Sequence, residues 1–238
     1  MVDIGFSGLL ALILLAFVHL FANQSKVSGR LWHGSFLSFA AGVSFSYVFI
    51  DLLPKLEKSQ PTIESAIGLI IPYLDHHSYL IALLGVLFYY GLHTKSKSGK
   101  ERSYWLFLSG YLLFNLFVGA SLSNTNNPDI QPLFLFTIGM SMHYFVRDHN
   151  ASIDAPQLFV KETRFLLVIA LIIGYLIGKF TSIPEAFIAI CISFISGGIL
   201  LNVMRYELPK REQVGYLFFL SGSLIYTIIL LSVGKVSN

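Results

Sequence analysis

Residues 165–180 read FLLVIALIIGYLIGKF. The only charge in this run is Lys179, one place from its end. Apolar and polar residues do not alternate, as a half-buried strand requires, and no polar face divides the run, as in a helix of a soluble bundle. With no polar surroundings for its backbone, such a segment satisfies its own N–H and C=O groups as a helix. Extended by Arg164 it reaches the lower end of the roughly 17–25 residues that cross a ~30 Å hydrocarbon layer.

Seven further segments follow the same pattern, at about 4–22, 34–53, 77–93, 104–122, 133–147, 185–204 and 214–233. Together with 164–180 they account for most of the chain. The composition agrees: 55% hydrophobic and only 12% charged, against roughly 25% charged in soluble domains. This points to one transmembrane domain over 1–238: an all-α, polytopic bundle of eight transmembrane helices. The stretch PTIESAIGLIIPYL (61–74), bracketed by Pro61 and Pro72, reads as an interfacial loop helix. The first segment lacks a basic leader and a small-residue cleavage site, so it reads as a retained helix. Cys191 is the single cysteine, so no disulfide is expected.

Lysine and arginine give the orientation. With eight crossings, one side holds Lys26, Arg30, Lys95, Lys97, Lys100, Arg102, Arg147, Lys161, Arg164, Arg205, Lys210 and Arg211. The other holds Lys55, Lys58, Lys179 and Lys235. Basic residues mark the cytoplasmic side, so both termini are expected to be extracytoplasmic, in a plasma or inner membrane. The net charge of +3 carries no implication of nucleic acid.

Polar residues at depth are costly in lipid and mark function or helix pairing. His143 lies about 11 residues past Pro132, roughly 16 Å along a helix, near the midplane. Asn115 reaches a similar depth from the opposite side. Imidazole and carboxamide are both metal-ligand types, and both also tie membrane helices together. Asp51 ends the second segment and stands at the outer mouth, or among the headgroups. Arg147, Asp148 and His149 follow His143: either a solvated turn beside a snorkelling arginine, or the exit of a cation path. Glu207, in NVMRYELPKRE (202–212), is by default a solvated carboxylate among Arg205, Lys210 and Arg211. His19 reads as an unremarkable interfacial ring. Asp75, His76 and His77 form an outer cluster, a helix cap with solvated rings or a weak capture site. Gly119, Gly42 with Ser38 and Ser46, SFISGG (193–198) and SGS (221–223) mark close helix packing.

Three stretches resemble the ZIP family of divalent-metal transporters. AAGVSFSYVFIDLLPKL (40–56) is similar to its second helix, a Gly/Ser-rich run ending in an Asp-Leu-Leu-Pro-Glu-like motif, with Lys55 in place of the final acid. FISGGILLNVMRYELPKRE (194–212) resembles the seventh, and FNLFVGASL (114–122) the fourth. The resemblance implies a transporter, not an enzyme. It would carry zinc or a similar divalent cation inward past Asn115 and His143, with Asp51, Asp148, His149 and Glu207 along the pathway. The expected partners are the lipid bilayer, the transported metal and a second copy in a homodimer. No resident cofactor is expected. The departures are specific. Phe114 and Val118 stand where the fourth helix has His and an acid, and Tyr144 and Val146 replace the acid and proline of the fifth. Two neutral ligands do not offset the desolvation of a divalent ion. The alternative is therefore a ZIP-like scaffold or regulator that transports nothing.

Overall fold

The computed structural model of the chain describes residues 4–21, 30–67, 76–96, 101–123, 130–154, 161–208 and 213–234. Among them are the helices α1 (Ile4–Phe21), α2 (Arg30–Tyr47), α3 (Leu53–Ile67), α4 (His77–Ser96), α5 (Glu101–Ser123), α6 (Ile130–Asp154), α7 (Lys161–Phe180), α8 (Glu185–Asn202) and α9 (Gln213–Gly234), and no strand. A π turn, Val48–Leu52, joins α2 to α3 without a break, and a second, Val203–Glu207, ends α8. Counting α2 and α3 as one rod, the described residues form eight rods. Each of the eight apolar segments read from the sequence lies on one of them.

Two boundaries differ from expectation. Residues 61–67 do not begin a separate loop helix; they end α3, with Pro61 inside it. The α6 helix runs well past 147, because residues 148–154 continue it. Residues 68–75, the loop 124–129 and Lys26, Lys97, Lys100, Lys210, Arg211 and Lys235 lie outside the described residues, as do 1–3 and 236–238.

Four stretches are long and apolar enough to cross a membrane: Gly34–Ile67, Glu162–Phe180, Glu185–Arg205 and Gly215–Ser232. Ser7–Phe21, His77–Leu92 and Leu108–Ser123 are apolar but shorter. The α6 helix, which carries His143, Arg147 and Asp148, is in neither group.

Glycine sets the packing. A Cβ on Gly42 in α2 would overlap the Phe219 carbonyl of α9, and one on Gly222 of α9 would overlap the Phe39 carbonyl. The same reciprocity joins α4 to α8 through Gly85 and Gly197, and α5 to α7 through Gly119 and Gly174. In each pair the helices run parallel. For example, Phe39 stands beside Gly222, and Ser46 further along hydrogen-bonds with Thr227. Parallel neighbours that are not consecutive in sequence are what rods alternating in direction produce. Between these pairs, α6 packs on α1 and α2. The core around it includes Leu15, Tyr47, Val48, Met140, Tyr144, Leu171 and Val203.

Candidate functional site

The α6 helix forms a ladder of polar contacts. At one end, the Lys55 ammonium lies 5.7 Å from the Phe136 ring centroid and 6.0 Å from that of Tyr47, and donates to Asp51 Oδ2 at 2.6 Å. One turn on, Gly139 meets the Tyr47 ring, and Tyr226 donates its hydroxyl to the Leu135 carbonyl at 2.6 Å. Next comes His143. Asp148 follows, about 18 Å from Phe136 at the rise of an α-helix.

The expected outer-mouth carboxylate, Asp51, sits in the first π turn and is half-buried. Its partner Lys55 stands one turn on, and the two side chains are 24% and 37% exposed. An exposed i,i+4 pair contributes little. Lys55→Met is therefore expected to change unfolding stability by less than about 1 kcal/mol, read as an unchanged thermal midpoint of the purified chain.

His143 is fully buried, with 0% of its surface exposed. Its Nδ1 lies 2.6 Å from Glu207 Oε1 and 3.4 Å from Ser44 Oγ. The pair is close in distance, but neither oxygen of Glu207 makes an aligned hydrogen bond among the described residues, and His143 Nε2 has no hydrogen-bond partner there. The second π turn places Glu207 in this position. The solvated reading of Glu207 is therefore corrected: its side chain is 1% exposed.

A second cluster lies further along α6. His19, at the end of α1, places Nδ1 2.7 Å from Asp148 Oδ2 and Nε2 2.8 Å from Asn115 Oδ1. Asn115 Nδ2 donates to the Tyr111 carbonyl at 3.0 Å. The Tyr144 ring stacks on His19 with centroids 4.2 Å apart, and the Arg147 guanidinium lies over the Tyr111 ring. His19, Asn115 and Asp148 are all buried. The reading of 147–149 as a solvated turn thus gives way at Asp148, which belongs to the interior; His149 is half-buried. The interfacial reading of His19 gives way too.

Asn115 and His143 are both buried, but they do not bond each other. Asn115 pairs with His19, and His143 with Glu207 and Ser44. Phe114 stands between the clusters, 6.2 Å from the His143 ring and 6.1 Å from that of Tyr144. His76 is exposed and His77 buried.

The donor chemistry separates the two clusters. Both ring nitrogens of His19 and the oxygen of Asn115 are engaged, which leaves no lone pair on the ring for a metal. Among the described residues His143 Nε2 and Glu207 Oε2 have no hydrogen-bond partner, and neither has Asp148 Oδ1 of the second cluster; Glu207 Oε1 faces His143 Nδ1 at 2.6 Å. No group of three His, Cys, Asp or Glu that could hold a metal ion occurs among the described residues. Compared with known proteins, the chain matches no family model and no curated protein.

Proposed function

We propose that the chain is an integral membrane transporter. Its eight rods all cross the bilayer with both termini extracytoplasmic, and it carries a divalent cation such as zinc into the cytoplasm past His143 and Glu207. The ZIP-like pattern lacks its midplane acids, and Glu207 supplies a carboxylate to His143 from α8. One observation carries the reading: a buried imidazole and a buried carboxylate, 2.6 Å apart, keep open donor atoms inside the bundle. Buried polar atoms are rarely left without partners, and ionisable groups in membrane interiors mark ion and proton pathways. Support for a lipid setting comes from the outer faces. Leu9, Leu10, Ile13, Leu14 and Phe17 on α1, and Ile169, Ile172, Ile173, Leu176 and Ile177 on α7, are all exposed. Apolar surface on this scale is incompatible with a free monomer in water.

Radiolabelled zinc uptake into proteoliposomes tests it. The wild type is expected to take up metal, and His143→Ala and Glu207→Gln to lose uptake while remaining folded. Equal uptake by both variants removes the site from the pathway.

A second reading, the non-transporting scaffold, is favoured by a different observation. Each of these carboxylates already has a base from the same chain: Lys55 for Asp51, His19 for Asp148 and His143 for Glu207. Absence of uptake by the folded wild type selects it.

A further inference from the structure

The surroundings of His19 dictate how many protons it shares. Asp148 Oδ2 stands at one ring nitrogen and Asn115 Oδ1 at the other, at 2.7 and 2.8 Å. A carboxylate and an amide oxygen only accept hydrogen bonds. The carboxamide cannot be turned over, because its Nδ2 already donates to the Tyr111 carbonyl; exchange would set two carbonyl oxygens against each other. A neutral imidazole carries one N–H. Beside an ionised Asp148 it would leave a lone pair facing a lone pair at one of the two contacts, in an interior where an unmet polar group is costly.

We propose that His19, Asp148 and Asn115 form a proton-binding site. At neutral pH it holds one proton more than a neutral imidazole and an ionised carboxylate would carry between them. Nε2 donates to Asn115, and the additional proton lies in the Nδ1–Oδ2 bond. The ligand is H⁺, and its release breaks one of the two hydrogen bonds by which His19 ties α1 to α5 and α6. The groups around the ring are few. From α6, Tyr144 stacks on it and Arg147 precedes Asp148; His143 and Glu207 lie one turn away with their own contact. From α5, Tyr111 stands behind Asn115. On α7, Tyr175 lies beside Gly8 of α1, and Arg164 lies eleven residues before it on the same helix. The acceptors at the two ring nitrogens are in contact with the ring and oppose loss of the proton. The inference rests on these three side chains alone and is independent of the cargo proposed above.

The test is nitrogen NMR of the full chain, labelled with ¹⁵N-histidine in lipid nanodiscs. His19 is assigned by difference from His19→Gln, and exposed His76 provides an internal reference. At pH 7.5 His19 is expected to show either two protonated ring nitrogens, or one together with an infrared band of a protonated carboxyl that disappears in Asp148→Asn. A neutral His19 ring without that band at pH 7.5 overturns the proposal. Asn115→Leu removes one acceptor, so a neutral ring suffices; at pH 7.5 that variant is expected to show a neutral ring and no protonated carboxyl. Retention of the additional proton in that variant also overturns it. Because none of these signals depends on uptake, a failed flux experiment leaves this result intact, and the converse holds.

Discussion

Glu207→Ala is expected to destabilise the bundle by about 3–5 kcal/mol. The substitution removes one member of a buried imidazole–carboxylate contact whose side chains are 0% and 1% exposed. His143 is then left in the interior facing only the Ser44 hydroxyl at 3.4 Å. Breaking a buried pair from one side is much more damaging than replacing both members, because the remaining group keeps its desolvation penalty. The double variant His143→Leu, Glu207→Leu is therefore expected to unfold closer to the wild type than either single alanine variant. Thermal unfolding of the purified chain in detergent, followed by circular dichroism, reads all four proteins. A Glu207→Ala midpoint equal to that of the wild type places this carboxylate in solvent and ends the case for an interior site.

The second large effect concerns backbone contact. Gly119→Leu and Gly174→Leu each direct a side chain into the carbonyl of the facing helix, at Leu171 and Leu116. Overpacking costs about 1–3 kcal/mol even where side chains can shift, and here the obstacle is main chain. Either variant is expected to abolish the monodisperse folded species on size-exclusion chromatography. Gly34 and Gly91 are the controls, since a Cβ at either meets nothing within 4 Å. Alanine there is expected to be neutral, or to stabilise by up to about 1 kcal/mol through helix propensity. If Gly119→Leu is as stable as Gly91→Ala, the α5–α7 contact is not formed.

The rods were legible because each is an apolar run bounded by charged or loop-forming residues, and hydropathy alone locates such runs. Asn115 and His143 are both buried among the helices, but burial is a matter of packing and not of depth in a bilayer. Partnership was not legible. Asn115 and His143 sit on consecutive antiparallel segments, the usual basis for expecting contact, yet α5 packs chiefly on α7 through Gly119 and Gly174. His19 is the clearest miss. It is a single ring near the end of an apolar run, and its partners lie 96 and 129 residues away, so no local spacing announces them. Glu207 was misread because Arg205, Lys210 and Arg211 surround it in sequence. The π turn that carries it inward differs from an α turn by one residue and leaves no pattern in composition. Five ionisable residues, His19, His143, Arg147, Asp148 and Glu207, come from two helices, α1 and α6, and the second π turn, and only tertiary packing collects them.

The pairing of α2 with α9 has a consequence for biosynthesis. Ser223 of α9 bonds the Gly42 carbonyl across 181 residues of chain. At about 5–20 residues per second, α2 emerges from the ribosome roughly 10–40 s before its partner exists. Its glycine ridge must wait during that interval against lipid, the insertion machinery or a temporary neighbour. A nascent chain arrested after residue 208 should therefore leave the thiol of a Ser46→Cys variant open to chemical labelling, and release of the finished polypeptide should close it, because Ser46 is buried against Ser223.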